Sequence, residues 1–174
     1  MSLIYVTGIA GAGKSAVCEE LTKRGFEAHE GDDNLSAFYN NETGEITDRP
    51  TTVTDRTPEW RAEHTWKMSK EALQKLKASS DHKPVFVCGV ASNENEYIDV
   101  FDKVFALDVD IETLMHRITT RTTGDFGKSP HEMETLLNWH KSTGEYYRKI
   151  GAYIVNTSKP LNEVVDEIVE QVMA

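Results

Sequence analysis

Eight residues near the amino terminus constrain this chain more than any other feature. Gly8-Ile9-Ala10-Gly11-Ala12-Gly13-Lys14-Ser15 fits the pattern G-x-x-x-x-G-K-[ST] at every fixed position. Leu3-Ile4-Tyr5-Val6 before it reads as a strand, and Ala16 to Arg24 after it reads as a helix. Glycines without a Cβ let backbone N–H groups close around phosphate oxygens, and the N-terminus of the following helix adds partial positive charge. The residue types therefore predict a cradle for the polyphosphate of a nucleoside triphosphate, built from Gly8, Gly11, Ala12, Gly13, Lys14, Ser15 and Ala16. Lys14 is expected at the β- and γ-phosphates, and the Ser15 hydroxyl on Mg²⁺.

Composition removes several alternatives. At 174 residues the chain suits one α/β domain, 1–174, and no Pro/Gly/Ser-rich linker divides it. A formal net charge of −10, without a cluster of Lys or Arg, argues against a nucleic-acid partner. Cys18 and Cys88 read as small buried hydrophobes in a reducing compartment, and the six histidines are scattered without zinc-ligand spacing. No apolar run approaches the length of a membrane span, and the first strand leaves no room for a signal peptide, so a cytoplasmic protein, monomer or homodimer, is expected.

Strand and helix patterns alternate along the chain. Gly25 to His29 predicts a second strand ending in the acidic turn Glu30-Gly31-Asp32-Asp33-Asn34. Residues 35–58 are polar and turn-rich, with hairpin-like turn residues at Tyr39 to Ile46. Pro58 to Ala78 has helical spacing through Trp60, Trp66, Leu73 and Leu76. Strands follow at 84–88, 104–107 and 153–155, with helices at 111–121, 129–150 and 161–173. This order predicts a parallel sheet covered on both faces, with ligands at the carboxyl ends of its strands.

Two further groups point at the same end of that sheet. The carboxylates of Glu30, Asp32 and Asp33 would face the γ-phosphate and the metal, where an acid can orient Mg²⁺ through water or accept a proton from an attacking hydroxyl, Asp32 ahead of Asp33. Solvated turn or helix-cap residues are the plainer reading of the same acids. Arg117 and Arg121, four apart on one helix face, lead into Thr122 to Lys128, which reads as a hinged flap. Its cations, Arg121 and Lys128 among them, would meet the charge that develops on transfer. Ser92 and Asn93, after the third strand, are acceptor contacts or turn residues. No acid ends that strand at Gly89, which argues against motor-type hydrolysis.

The loop, the acid turn and the Arg-flanked flap together resemble the small nucleotide and metabolite kinases of the phosphate-loop superfamily: adenylate, shikimate, gluconate and adenylylsulfate kinases. The resemblance implies a three-layer α/β/α fold with a mostly parallel five-stranded sheet, a lid at about 122–130 and an acceptor-binding insertion at about 34–61. His116 to Arg121 is similar to the adenylate-kinase stretch whose first arginine packs on adenine and whose second meets the phosphates, which implies Arg117 and Arg121 as nucleotide-binding residues. Tyr146 to Gly151 with Asn162 to Ile168 looks like that family's closing strand and helix. Glu30-Gly31-Asp32 resembles the acid-x-acid turn of shikimate and gluconate kinases, which implies Asp32 at the acceptor hydroxyl and Glu30 on the metal side. Asp55 to Trp60 is loosely similar to a gluconate-kinase stretch.

Residues 35–48 and 129–138 contain no Arg or Lys, unlike the regions with which adenylate kinases hold a monophosphate. The expected activity is ATP- and Mg²⁺-dependent phosphoryl transfer to a hydroxyl of a small metabolite, with Lys14, Asp32, Arg121 and Lys128 in catalytic roles and Ser15 and Glu30 at the metal. A nucleoside monophosphate kinase using Arg49, Arg56 or Arg61 for the acceptor phosphate is the first alternative. A non-catalytic ATP-binding regulator is the second.

Overall fold

A computed structural model of the chain describes residues 2–52, 55–79, 83–122 and 126–174. Five strands form an entirely parallel sheet in the order β2-β6-β1-β7-β8: β1 (Leu3–Thr7), β2 (Glu27–Glu30), β6 (Val85–Cys88), β7 (Lys103–Asp108) and β8 (Tyr153–Asn156). β1 is central. The chain leaves it to build β2 on one side and later β7 and β8 on the other, so a crevice opens outside its carboxyl end.

Both faces of the central strands are covered, which is why β1 and β6 read as continuous apolar runs. Ile4, Val6, Phe86 and Cys88 face one way, into a core completed by α1 (Lys14–Lys23), α6 (Ile111–Thr120), α8 (Leu161–Met173) and Leu136 of α7 (Pro130–Lys149). Leu3, Tyr5, Val85 and Val87 face the other way, against Met68, Leu73 of α4 (Lys70–Ser79), Tyr97 of α5 (Glu94–Tyr97), and Val100 and Phe101 beyond it. Phe86 is fully buried, and truncating such a ring costs about 3–5 kcal/mol. Cys18 and Cys88 are both buried free thiols in the first core. No helix among the described residues is long and apolar enough to cross a membrane.

The helix starts follow the sequence. Asp110 accepts the Thr113 amide at 2.8 Å ahead of α6, and Ser129 accepts the Glu132 amide at 3.2 Å ahead of α7, with Pro130 as first helical residue. Thr57 and Pro58 repeat the device at α3 (Pro58–Glu63).

One segment departs from expectation. Residues 58–78 are not a single helix: α3 ends at Glu63, and His64–Met68 form strand β5 before α4 begins. β5 pairs antiparallel with β3 (Ser36–Asn40), register Phe38↔Trp66, and β3 pairs with β4 (Ile46–Thr47), giving a second, three-stranded sheet, two of whose strands lie in the stretch 35–58 expected to be irregular. The partner strand overrode the helical spacing of Trp60 and Trp66, because Phe38 contacts both rings, at centroid distances of 4.9 and 4.8 Å. The hairpin-like turn is present: Asn40 Oδ1 accepts the amides of Glu42 and Thr43, both at 2.9 Å, and Gly44 has φ +74°. The acid turn is a one-turn helix, α2 (Gly31–Asn34). Of the expected flap, residues 123–125 lie outside the described residues.

Candidate active site

The loop between β1 and α1 has the backbone that its glycines foreshadow. Gly11 has φ +84°, and a Cβ there would lie 2.8 Å from Leu114 Cδ1 and 2.9 Å from Ile118 Cδ1, so α6 closes on the loop through the space a side chain would need. Lys14, the first residue of α1, folds back over the loop and donates to the carbonyls of Gly8 at 2.7 Å and Ile9 at 3.0 Å.

Burial of that ammonium pulls its pKa down to about 8, and the charges of Asp32 and Glu30 resist the shift. Asp32 and Glu30 are therefore electrostatic partners of Lys14, although they lie across the β1-β6-β2 side of the sheet. Arg121 acts in the opposite sense and lowers the Lys14 pKa, which sets its positive charge near the same ammonium.

Ser15 and Glu30 meet directly: the hydroxyl donates to Glu30 Oε2 at 3.3 Å. Half-burial raises the Glu30 pKa, with Asp32 and Asp33 pushing the same way and the Ser15 hydroxyl opposing. A serine hydroxyl beside a carboxylate fits the hard-oxygen chemistry of Mg²⁺, which takes one or two protein oxygens when phosphates and water supply the rest. Asp32 and Asp33 are exposed. The turn is held against β6 by a backbone contact, since a Cβ on Gly89 would lie 3.1 Å from the Gly31 Cα.

The two arginines divide. Arg117 reaches the loop itself, donating to the Gly11 and Ala12 carbonyls, both at 3.3 Å, and to the Thr157 carbonyl at 2.5 Å. Arg121 turns toward the segment after it and donates to the Phe126 carbonyl. The Lys128 ammonium donates to the Arg121 carbonyl at 2.9 Å. Ala12 is buried, while Ala16 is exposed at the start of α1.

A buried acid that the sequence reading passed over stands under the loop. Glu94, only 9 % exposed, accepts from Thr7 Oγ1 at 3.1 Å and lies 2.9 and 3.0 Å from the Tyr147 hydroxyl through its two oxygens. Thr7 immediately precedes Gly8, so this cluster ties α5, α7 and the end of β1 together. Desolvation raises the Glu94 pKa, and hydrogen bonds from Tyr5, Tyr147 and Thr7 oppose it, as does the Lys14 charge. A Glu in an N-E-N-E run after a strand carries no pattern; only the fold shows what it meets.

Asn93, weighed as an acceptor contact, is structural. Its side chain accepts the Met68 amide and donates to the Met68 carbonyl, both at 2.9 Å, as a neighbouring strand would. Ser92 donates its amide to the Trp66 carbonyl at 3.0 Å.

Solved structures share this architecture. Shikimate kinase from Acinetobacter baumannii in complex with shikimate superposes with a TM-score of 0.65 at 17 % identity, over 99 % of this chain and 93 % of that one. Deoxyadenosine kinase from M. mycoides with bound dATP gives 0.61 at 19 % identity over the whole of both chains. A gluconokinase from Sinorhizobium meliloti 1021 gives 0.53 at 23 % identity, over 95 % of this chain and 88 % of that one. At these identities the likeness is one of fold, that of the small phosphate-loop kinases. Comparison with curated proteins finds no match. The family model described as an AAA domain matches residues 4–137, from β1 through the loop, the acid turn and both arginines into α7, and the chain belongs to that family.

Proposed function

We propose that this protein is an ATP- and Mg²⁺-dependent phosphotransferase that moves the γ-phosphoryl group of ATP to a hydroxyl of a small metabolite. One observation carries the reading: the Ser15 hydroxyl of the loop donates to Glu30 of the acid turn, and Glu30, Asp32 and Arg121, from two segments beyond the loop, act electrostatically on Lys14. The loop amides and Lys14 hold the triphosphate, and Arg117 braces the loop from behind. Ser15 and Glu30 would hold Mg²⁺, which would supply positive charge against that of the phosphates. Asp32 orients the acceptor hydroxyl and takes its proton as the new oxygen–phosphorus bond forms and the bond from the γ-phosphorus to the β–γ bridging oxygen breaks. Arg121 meets the charge that builds on the transferring group, and Lys128 supports it through the Arg121 carbonyl.

The segment 34–61, extended by β5 to Met68, is the part that selects the acceptor. Arg61, a candidate holder for an acceptor phosphate, is paired instead with Glu132, and Lys67 lies over the Tyr39 ring. These commitments favour a hydroxyl acceptor without a phosphate over a nucleoside monophosphate. A panel of neutral and phosphorylated metabolites, scored for ATP-to-ADP conversion with Lys14→Ala as the blank, tests the proposal. No acceptor-dependent ADP release from protein that binds ATP tightly would move the reading to a nucleotide-responsive regulator.

A further inference from the structure

Glu132 does not do what its position in the sequence suggests. Ser129-Pro130-His131-Glu132 has capping-box spacing, in which the carboxylate at the third helical position turns back to the N-cap amide. The Ser129 hydroxyl plays its part, accepting the Glu132 amide at 3.2 Å. The carboxylate, only 7 % exposed, instead accepts the Gly127 amide on Oε2 at 3.0 Å and pairs through Oε1 with Arg61, 71 residues earlier on α3. The Arg61 guanidinium also lies over the Phe126 ring, 5.5 Å from its centroid, and that ring stacks on Trp139 at 5.6 Å with planes 13° apart. The Phe126 carbonyl accepts Arg121. One set of contacts thus runs from the acceptor-selecting segment, through Glu132 and the Phe126-Gly127 backbone, to the arginine whose charge is felt at Lys14.

The pairing is more than a surface ion pair. A carboxylate this deeply buried depends on its cation, and without Arg61 only the Gly127 amide and the helix N-terminus would remain to it. Its reorientation would release the Gly127 amide, and with it the adjoining carbonyl that holds Arg121.

We propose that Arg61 is a positioning residue: acting through Glu132 and the Phe126-Gly127 backbone, it sets Arg121 where its guanidinium grips the terminal phosphate of a bound nucleoside triphosphate. The inference rests on the reading of the loop as a triphosphate site and adds a direction of control. A ligand engaging α3 alters the hold on the γ-phosphate without touching it.

The test needs no acceptor. Calorimetry with Mg²⁺ gives the affinities for ADP and for the non-hydrolysable imido analogue of ATP, and their ratio isolates the γ-phosphate contact. A loss of folded protein affects both ligands alike and leaves the ratio unmoved, so a purely structural role for Arg61 would not register. Arg61→Gln and Arg121→Gln are each expected to reduce the triphosphate preference about ten- to a hundredfold, the size of one charged hydrogen bond. The double variant should be no worse than Arg121→Gln alone, and Arg61→Lys, which keeps the charge but not the planar contact with Phe126, should recover part of the preference. A wild-type ratio near one, an Arg61→Gln ratio equal to that of wild type, or losses that multiply in the double variant would each overturn the proposal. Wild-type protein binding neither nucleotide would refute the underlying triphosphate reading itself, a separate and earlier result.

Discussion

The Tyr147 hydroxyl sits astride the carboxylate of Glu94, 2.9 Å from one oxygen and 3.0 Å from the other, and so fastens α7 to the floor of the phosphate loop. Thr7 completes the triangle, 2.9 Å from the same hydroxyl. Removing the donor by Tyr147→Phe leaves a buried acid short of partners and should cost about 1–3 kcal/mol of stability, read by urea unfolding.

The same acid gives stability a pH dependence of definite sign. Its pKa is raised in the folded protein, so the folded state binds a proton more tightly than the unfolded chain. Its contribution is full below the ordinary glutamate range and is lost as pH rises through the raised value. Glu94→Gln should flatten that part of the profile. Tyr147→Phe, which removes a hydrogen bond that favours the charged form, should move it to higher pH. Unfolding midpoints in urea between pH 4 and pH 8 check both; an unchanged profile in Glu94→Gln would assign the dependence elsewhere.

Lys14 titrates in the opposite direction. Burial lowers its pKa to about 8, and on the proposed reading the protonated form is the one that holds phosphate. Affinity for Mg²⁺-ATP should be level below pH 8 and fall up to tenfold per unit above it, as each binding event must first restore the proton. Asp32 and Glu30 both sustain that charge, so Asp32→Asn should shift the break to lower pH, a displacement that calorimetry across pH 6.5–9.5 resolves.

Asp32→Asn carries a second expectation. If its carboxylate takes the acceptor proton, turnover should fall by about 10²- to 10⁴-fold while ATP affinity at pH 7 changes little. Steady-state ADP release with the best acceptor of the panel measures this. Wild-type turnover would return the role to Glu30 or Asp33.

Gly11→Ala should destabilise the protein by about 1–3 kcal/mol, because the new methyl meets Leu114 and Ile118 and the backbone is left-handed. Gly25→Ala is the control: its φ is +85° but nothing lies within 4 Å, so only the backbone cost of about 1 kcal/mol remains. Thermal unfolding of the two variants should differ by the steric part alone.

Local features of the sequence carried most of the parallel sheet. β1 from Leu3 to Val6 and all of β6 are apolar because both their faces are covered, and α8 begins and ends at the residues its amphipathic pattern marks. β5 was not legible, since His64–Met68 alternates too briefly to outweigh the helical spacing of its neighbours, and its strand character comes from β3 lying alongside. In the site, the motif marked Lys14 and Ser15 and the acid turn marked Glu30, because the contacts they make, Lys14 with Gly8 and Ile9 and Ser15 with Glu30, join residues close in sequence. Glu94 and the Arg61–Glu132 pair were hidden for the converse reason. Each is defined by partners 53 to 87 residues away, and Glu132 in particular has the spacing of a helix cap while its carboxylate serves another segment.

The abutment of Gly31 on Gly89 makes the acid turn and the end of β6 mechanically one piece. With Met68 Cε filling the remaining room, neither strand end can shift by a few tenths of an ångström without carrying the other. The acid turn and the central sheet therefore form a fixed jaw, and on the proposed reading adaptation to differently shaped acceptors falls to the opposite jaw, where side-chain pairs rather than touching backbones set the spacing.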